Sequence, residues 1–438
     1  MTPAPLGWPG IVRLGLVQSA IGAMVMLATS LLNRVMVVEF ALPAALPAGL
    51  VAWHYAVQLS RPAWGHGSDR GRRRTPWIVF GMATLALGAL LAIESLDLLA
   101  MRSFQGFALA ILAFSMIGAG VGAAGTSLLA LLATRVAPAR RAAAASITWI
   151  MMIAGIVVTA GIAGRLIDPF SLQRLTLVAQ GVAGAAFLVS LAAVWGIEGP
   201  SPAAPPPERP MPPPAMGAAL RDLWADPVAR RFTLFVFLSM LAYSMQDLIL
   251  EPFAGLLFGF TPGQSTQLSG VQHGGVLAGM ILAGIGGSAF GRRPGHAALR
   301  AWIVGGCVAS ALALAGLALA ARVGPGWPLA VNVAALGFAN GVFAVSAIGA
   351  MMGLASEGAG REGIRMGLWG AAQAIAFGLG GLIGAVSVDI GRAVIGSTPE
   401  TFTIVFGAEA LLFLVAASLG SRAGARAAPM PAIAGKPA

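Results

Sequence analysis

The chain is nearly devoid of lysine: Lys436 stands alone beside 26 arginines. Charged residues of both signs make up only 10% of it, against 58% hydrophobic residues and a mean hydropathy of +0.84. A soluble fold of 438 residues has no core large enough to hide that much apolar surface, so the main solvent of this protein is lipid. The formal charge of +11 sits in short arginine clusters between apolar runs. Clusters of that kind mark water-facing loops and exclude nucleic acid as the expected partner. Cysteine is equally scarce. Cys307, alone inside an apolar run, excludes an intrachain disulfide and a cysteine-ligated zinc, and reads as a small buried hydrophobe. Also missing are the alternation of a β-barrel, a nucleotide-binding glycine loop, an aspartate-rich diphosphate site and any Ser/His/Asp or Cys/His set, so no enzyme is expected.

What the chain does have is a succession of apolar runs, each about 20 residues or longer, enough to cross a bilayer. Lipid offers no hydrogen-bond partner, so such runs must close their own backbone bonds as helices. They fall near residues 13 to 38, 43 to 62, 76 to 97, 104 to 134, 143 to 164 and 172 to 197, then near 230 to 258, 266 to 290, 298 to 322, 327 to 355, 364 to 389 and 400 to 420. The first follows Arg13 without a small-residue cleavage pattern, which separates it from a secretory signal. Between the two sets lies Pro200 to Pro214, whose prolines favour extended, water-exposed backbone. The expected division is a six-helix bundle over 1–197, a linker over 198–229, a second bundle over 230–421 and a tail over 422–438. Of the 27 basic residues, 21 fall on the side of the termini and linker and six on the other, Arg34, Arg102, Arg165, Arg174, Arg322 and Arg392. The positive-inside rule then predicts cytoplasmic termini in a bacterial inner membrane. This plan, an all-α membrane protein with 12 transmembrane helices in two six-helix bundles, is that of the major facilitator superfamily.

The loop after the second run reads Gly65-His-Gly-Ser-Asp69-Arg70-Gly-Arg72-Arg73-Arg74. It resembles the superfamily's cytoplasmic loop motif but lacks one residue between Arg70 and Gly71. Gly65 lets helices approach, Asp69 can accept from a helix N-terminus or an arginine, and the arginines can pin neighbouring helices or meet lipid phosphates. A loop that only sets topology has the same composition. The matching loop of the second half keeps Gly291-Arg292-Arg293 and has lost the Asp-Arg pair. Charge at membrane depth is concentrated in Arg34 and Glu39 at the end of the first run and in Asp247 and Glu251 in the seventh. Isolated charges are expensive there, so Arg34 is expected either to pair with Asp247 or Glu251 or to snorkel alone to the outer interface.

Three segments, LNRVMVVE, AYSMQDLILEPFAGLLFG with the TPGQSTQLSG that follows it, and GAGVGAAGTSLLALLATRVAP, resemble those of the PucC/LhaA family of photosynthetic bacteria, and the likeness runs over nearly all of both halves. VAWHYAVQLSRPAWGHGSD and GVQHGGVLAGMIL are most similar to the branch called bacteriochlorophyll synthase 44.5 kDa chain. The resemblance implies pigment handling: delivery of bacteriochlorophyll or a late precursor to light-harvesting polypeptides, or work beside bacteriochlorophyll synthase, in the intracytoplasmic membrane.

The residues are compatible with an apolar cargo. Residues 104 to 134, 143 to 164, 327 to 355 and 366 to 388 hold no Asp, Glu, Lys, Arg or His, and include the small-residue runs Gly118 to Gly125 and Gly378 to Gly384. Those runs allow close helix packing or flat grooves for a planar ring. A tetrapyrrole magnesium takes a neutral axial ligand, for which His54 and His273, in corresponding runs of the two halves, are the candidates, with Asn332, Asn340 and Gln373 behind them. Each histidine reads equally as a hydrogen-bonded interior residue. His66, His296 and Glu409 carry no assigned role. The alternative reading is a secondary transporter of a small apolar or cationic compound working by alternating access.

Overall fold

The computed structural model describes residues 6–61, 63–64, 68, 73–137, 140–198, 221, 224–225, 227–289, 296–356 and 362–422. These form twelve long helices and no strand. In the first half they are α1 Trp8–Glu39, α2 Ala45–Gln58, α3 Thr75–Ala100, α4 Phe104–Arg135, α5 Arg141–Leu166 and α6 Leu172–Val194. In the second they are α7 Pro227–Phe258, α8 Pro262–Ala289, α9 His296–Val323, α10 Leu329–Ser356, α11 Glu362–Ile395 and α12 Thr398–Arg422. The sequence places punctuation where they start and stop. Ser103 and Ser171 accept the amides of Gly106 and Arg174, each at 3.1 Å, to cap α4 and α6. α7 and α11 stop at Gly259 (φ +68°) and Gly396 (φ +72°), where only glycine turns left-handed without strain.

Ten of the twelve helices are long and apolar enough to span a bilayer. The two exceptions differ in cause. α2, expected over 43 to 62, tightens after Gln58 into bonds from Leu59 to Ala56 and Ser60 to Val57, both 3.0 Å, which end the regular helix early. α8 is diluted by Gln264, exposed at its first turn, and by Gln267, Gln272 and His273, which the fold keeps wholly or partly among its neighbours.

Packing repeats between the halves. α3 lies on α4, α1 on α5 and α6, α2 on α4, and α3 on α6; correspondingly α9 lies on α10, α7 on α11 and α12, α8 on α10, and α9 on α12. The apolar core divides accordingly. One cluster is built around Leu14, Met24, Leu85, Phe114 and Leu128, the other around Phe253, Phe343, Trp369, Phe402, Phe406 and Phe413. Leu248 and Ala385 of the second half join the first cluster, so the halves share a seam. Its principal contacts are again a symmetric pair, α5 with α8 and α2 with α11. Most of the linker (199–220) and the tail (423–438) lie outside the described residues.

Near the N-terminal end, Glu198 beyond α6 reaches across to start α3. Its carboxylate accepts the amides of Arg74 and Thr75 at 2.8 Å each and the Thr75 hydroxyl at 2.6 Å. Arg135 donates to its carbonyl at 2.7 Å. Glu198→Ala removes a carboxylate cap from a helix dipole and is expected to lower stability by about 1 kcal/mol, read as an earlier thermal unfolding midpoint in detergent.

Candidate functional site

Two polar groupings occupy the seam. The first lies at the far end of the bundle, opposite the N-terminus, where α1 departs from α-geometry. Leu27–Leu31 and Val35–Glu39 are π-turns on either side of Leu32–Arg34. An i→i+5 turn brings Glu39 round to the face of Arg34, which regular α-geometry would set well apart on the cylinder. Arg34, 2% exposed, donates to Glu39 at 2.8 Å and to the carbonyl of Phe260 at 2.7 Å. Gly255 of α7 makes room for it, since a Cβ there would lie 2.9 Å from Nε. Beside this, Asn33 donates to the Leu248 carbonyl at 2.6 Å, and the Ser30 hydroxyl donates to Glu251 and sits 3.3 Å from that of Ser269.

The direct pair expected between Arg34 and Asp247 or Glu251 is therefore not formed. The guanidinium takes a carboxylate of its own helix and a carbonyl of the other half. Arg34 does bind the two halves together, but through a backbone acceptor, and Glu251 is held by the Ser30 hydroxyl.

The second grouping lies deeper in the seam, and Asp247 belongs there. Tyr243 and Asp247 are four residues apart on α7 and share a face. Tyr243 meets Phe377 of α11 edge-on at 5.7 Å and Phe343 of α10 at 6.4 Å. Tyr55 of α2 stacks on the same Phe377 at 6.0 Å. Phe377 thus bridges the two tyrosines of the chain, and neither tyrosine hydroxyl has a hydrogen-bond partner among the described residues. Asp247 is half-buried, with only a long 3.5 Å contact from Gln272 of α8. Glu409 of α12, fully buried, has neither oxygen partnered among the described residues. The spans named as uncharged bring no charge to the seam, and carboxylates enter it from α7, where Asp247 faces Gln272.

The histidines do not occupy corresponding positions. Gly118 of α4 packs over the carbonyl of His54 and Gly337 of α10 packs over that of Gln272, so the repeat matches His54 with Gln272 and Tyr55 with His273. One residue of offset turns the two rings different ways around their helices. His54 is 1% exposed, with Nδ1 3.3 Å from the Val51 carbonyl and Nε2 2.8 Å from the Gln58 amide nitrogen. Gln58 Oε1 accepts from Arg61, so its NH2 faces the ring; His54 is the Nδ1-protonated tautomer and its Nε2 lone pair is taken. His273 is half-buried, and its Nδ1 donates to the Ser269 carbonyl at 2.9 Å. Its Nε2 has no partner among the described residues. The next turn of α8 carries Val276 and Leu277, which join Ile153, Ile156 and Val157 of α5 in an apolar cluster at the seam.

Of the other candidates, Asn332 ties α9 to α10, accepting from Trp327 at 2.9 Å and donating to the Ala313 carbonyl at 2.8 Å. Asn340 accepts from Ser310 at 2.8 Å inside the second bundle. Both are held within one half. Gln373 is half-buried one turn before Phe377 and shares its face of α11. Of the loop motif, Gly65, Asp69, Arg70 and Arg72 lie outside the described residues, as do Gly291, Arg292 and Arg293, while Arg73 is described and stands just before α3. The aromatic wall was absent from the sequence expectations. Its signal is compositional: the chain has only two tyrosines, one in each half.

Twelve helices in two repeated bundles, meeting through α2–α11 and α5–α8, define a multi-pass membrane protein of the major facilitator fold. Solved structures share that fold. A bacterial homologue of the human lysosomal transporter Spinster, inward-facing and unoccupied, matches with a TM-score of 0.65 at 17% identity over 95% of this chain and 96% of that one. The nucleoside transporter NupG matches at 0.67 and 14%, over 94% and 98%. Within that fold the chain belongs to the PUCC protein family, whose family model matches residues 31–425. It is 52% identical to the bacteriochlorophyll synthase 44.5 kDa chain of Rhodobacter capsulatus over 424 residues, 95% of each protein. It is 30% identical to protein PucC of the same organism, over 93% of this chain and 90% of that one.

Proposed function

We propose that this protein binds bacteriochlorophyll or a late tetrapyrrole precursor in the seam and presents it to light-harvesting polypeptides, or works beside the pigment synthase, as a binding and delivery protein with no chemistry of its own. The observation that carries this reading is His273: a half-buried imidazole with a free Nε2 beside an apolar cluster offers the one neutral axial ligand a magnesium tetrapyrrole takes. The name of one relative, the bacteriochlorophyll synthase 44.5 kDa chain, points to the same pigment. The unpartnered hydroxyls of Tyr55 and Tyr243 are donors suited to peripheral carbonyl groups of such a ring. The arginine distribution supports an inner, intracytoplasmic membrane location with both termini in the cytoplasm.

Protein purified in mild detergent from a pigment-producing host is expected to absorb as a bound bacteriochlorophyll. His273→Phe should lower pigment per protein by about ten-fold or more, as loss of a metal-ligand interaction does. His54→Gln should leave it unchanged. A colourless wild-type preparation sinks the proposal.

A second reading, alternating-access transport of a small apolar or cationic compound, is favoured by one observation: the Asp247 carboxylate, weakly bonded in the seam. It requires uptake or counterflow in vesicles without photosynthetic partners, lost in Asp247→Asn.

A further inference from the structure

At the far end, each half supplies a carboxylate that caps a helix of the other. Asp389, near the end of α11, accepts the amides of Ala44 and Ala45 at 3.0 and 2.7 Å, where α2 begins. Asp168, just beyond α5, accepts the amide of Gly263 at 3.2 Å and the Thr261 hydroxyl at 2.5 Å, where α8 begins. α5 and α11 are repeat equivalents, and so are α2 and α8, so one device is built twice. In both cases a negative charge meets the positive end of a helix and takes up amides that have no partner inside it.

We infer that Asp168 and Asp389 form a paired latch that holds the far end of the seam shut, and that this end opens by their joint release. Hydrogen bonds between the halves gather at this end: the two carboxylate caps and the bonds made by Ser30, Asn33 and Arg34. The caps flank the α1–α7 contact along the two edges where the halves meet. Both carboxylates are half-buried at helix ends, so on separation water replaces each bond with little net loss.

The two caps are unequal. α2 has Ala44 at its N-cap, with no side-chain cap of its own, so it depends on Asp389. α8 carries a reciprocal capping box, Thr261 donating its amide to Gln264 Oε1 at 3.0 Å and accepting the Gln264 amide at 3.1 Å. Asp389 therefore dominates the latch.

The test uses the full chain in lipid nanodiscs with its single cysteine removed by Cys307→Ala. A reporter cysteine is placed behind each cap, Thr266→Cys on the α5–α8 edge or Ala48→Cys on the α2–α11 edge, both fully buried positions. The rate of labelling by a water-soluble maleimide reads the open population. Asp389→Ala should raise the rate at both reporters, by about five-fold. Asp168→Ala should raise it less, and Asp389→Asn, which keeps an acceptor but loses the charge, should fall between parent and alanine. Acceleration at the edge that kept its carboxylate is the decisive result, because it requires the halves to move as bodies. Unchanged rates at both reporters, or acceleration confined to the edge that lost its carboxylate, would overturn the latch.

Discussion

Arg34→Leu is expected to destabilise the protein by roughly 1–3 kcal/mol, the magnitude of a lost charged hydrogen bond, since the buried guanidinium bonds the Phe260 carbonyl while its carboxylate partner Glu39 is exposed. The loss has two main sources: the Phe260 carbonyl loses its donor, and α1 loses its tie to the second half, while the exposed Glu39 carboxylate passes to water. The yield of folded protein after detergent extraction should fall. The double variant Arg34→Leu/Glu39→Leu should lose less than the sum of its parts, since both changes remove the same bond. The geometry also says which partner matters. Asp247→Arg should give no rescue of Arg34→Asp, because Asp247 faces Gln272 deeper in the seam. Recovery of accumulation in that charge swap would show that the Arg34–Glu39 pair is not the operative one.

The second large effect concerns the contact of α8 with α10. Glycines from both helices interlock there: a Cβ on Gly337 would lie 2.0 Å from the Gln272 carbonyl oxygen, on Gly341 2.1 Å from that of Val276, and on Gly279 2.1 Å from that of Phe338. The obstacle in each case is backbone, which no rotamer change can clear. Gly337→Leu should therefore force the helices apart and cost about 1–3 kcal/mol or more, shown by a lowered unfolding midpoint and by aggregation on size-exclusion chromatography. Gly274→Ala on the same α8, where a Cβ meets nothing within 4 Å, is the control and should leave the midpoint unchanged. Equal sensitivity at Gly274 and Gly337 would mean that helix propensity, not close approach, explains these glycines.

The small-residue runs were legible as close-packing or groove-forming stretches, but not which glycine meets which carbonyl. That pairing follows from the rotation of each helix about its axis, which the neighbours set. The histidines show the same limit. His54 and His273 lie in corresponding helices, yet an offset of one residue sends one ring into a closed chain with Gln58 and Arg61 and leaves the other with a free nitrogen at the seam. Asp247 and Glu251 are both on α7, and only the packing of α8 and α1 separates their surroundings. The two capping aspartates were invisible as a pair, since each contact joins residues more than ninety positions apart.

Hydropathy along the chain determined the twelve helices, their approximate limits and the division into two halves, because a backbone in lipid must close its own hydrogen bonds and loops must be polar. Segment likeness determined the family. The tertiary structure alone decided the partner of Arg34, the free imidazole, the aromatic wall around Phe377 and the carboxylates that close the far end. These depend on helix rotation and on contacts between halves remote in sequence, where a shift of one residue changes which atom meets which.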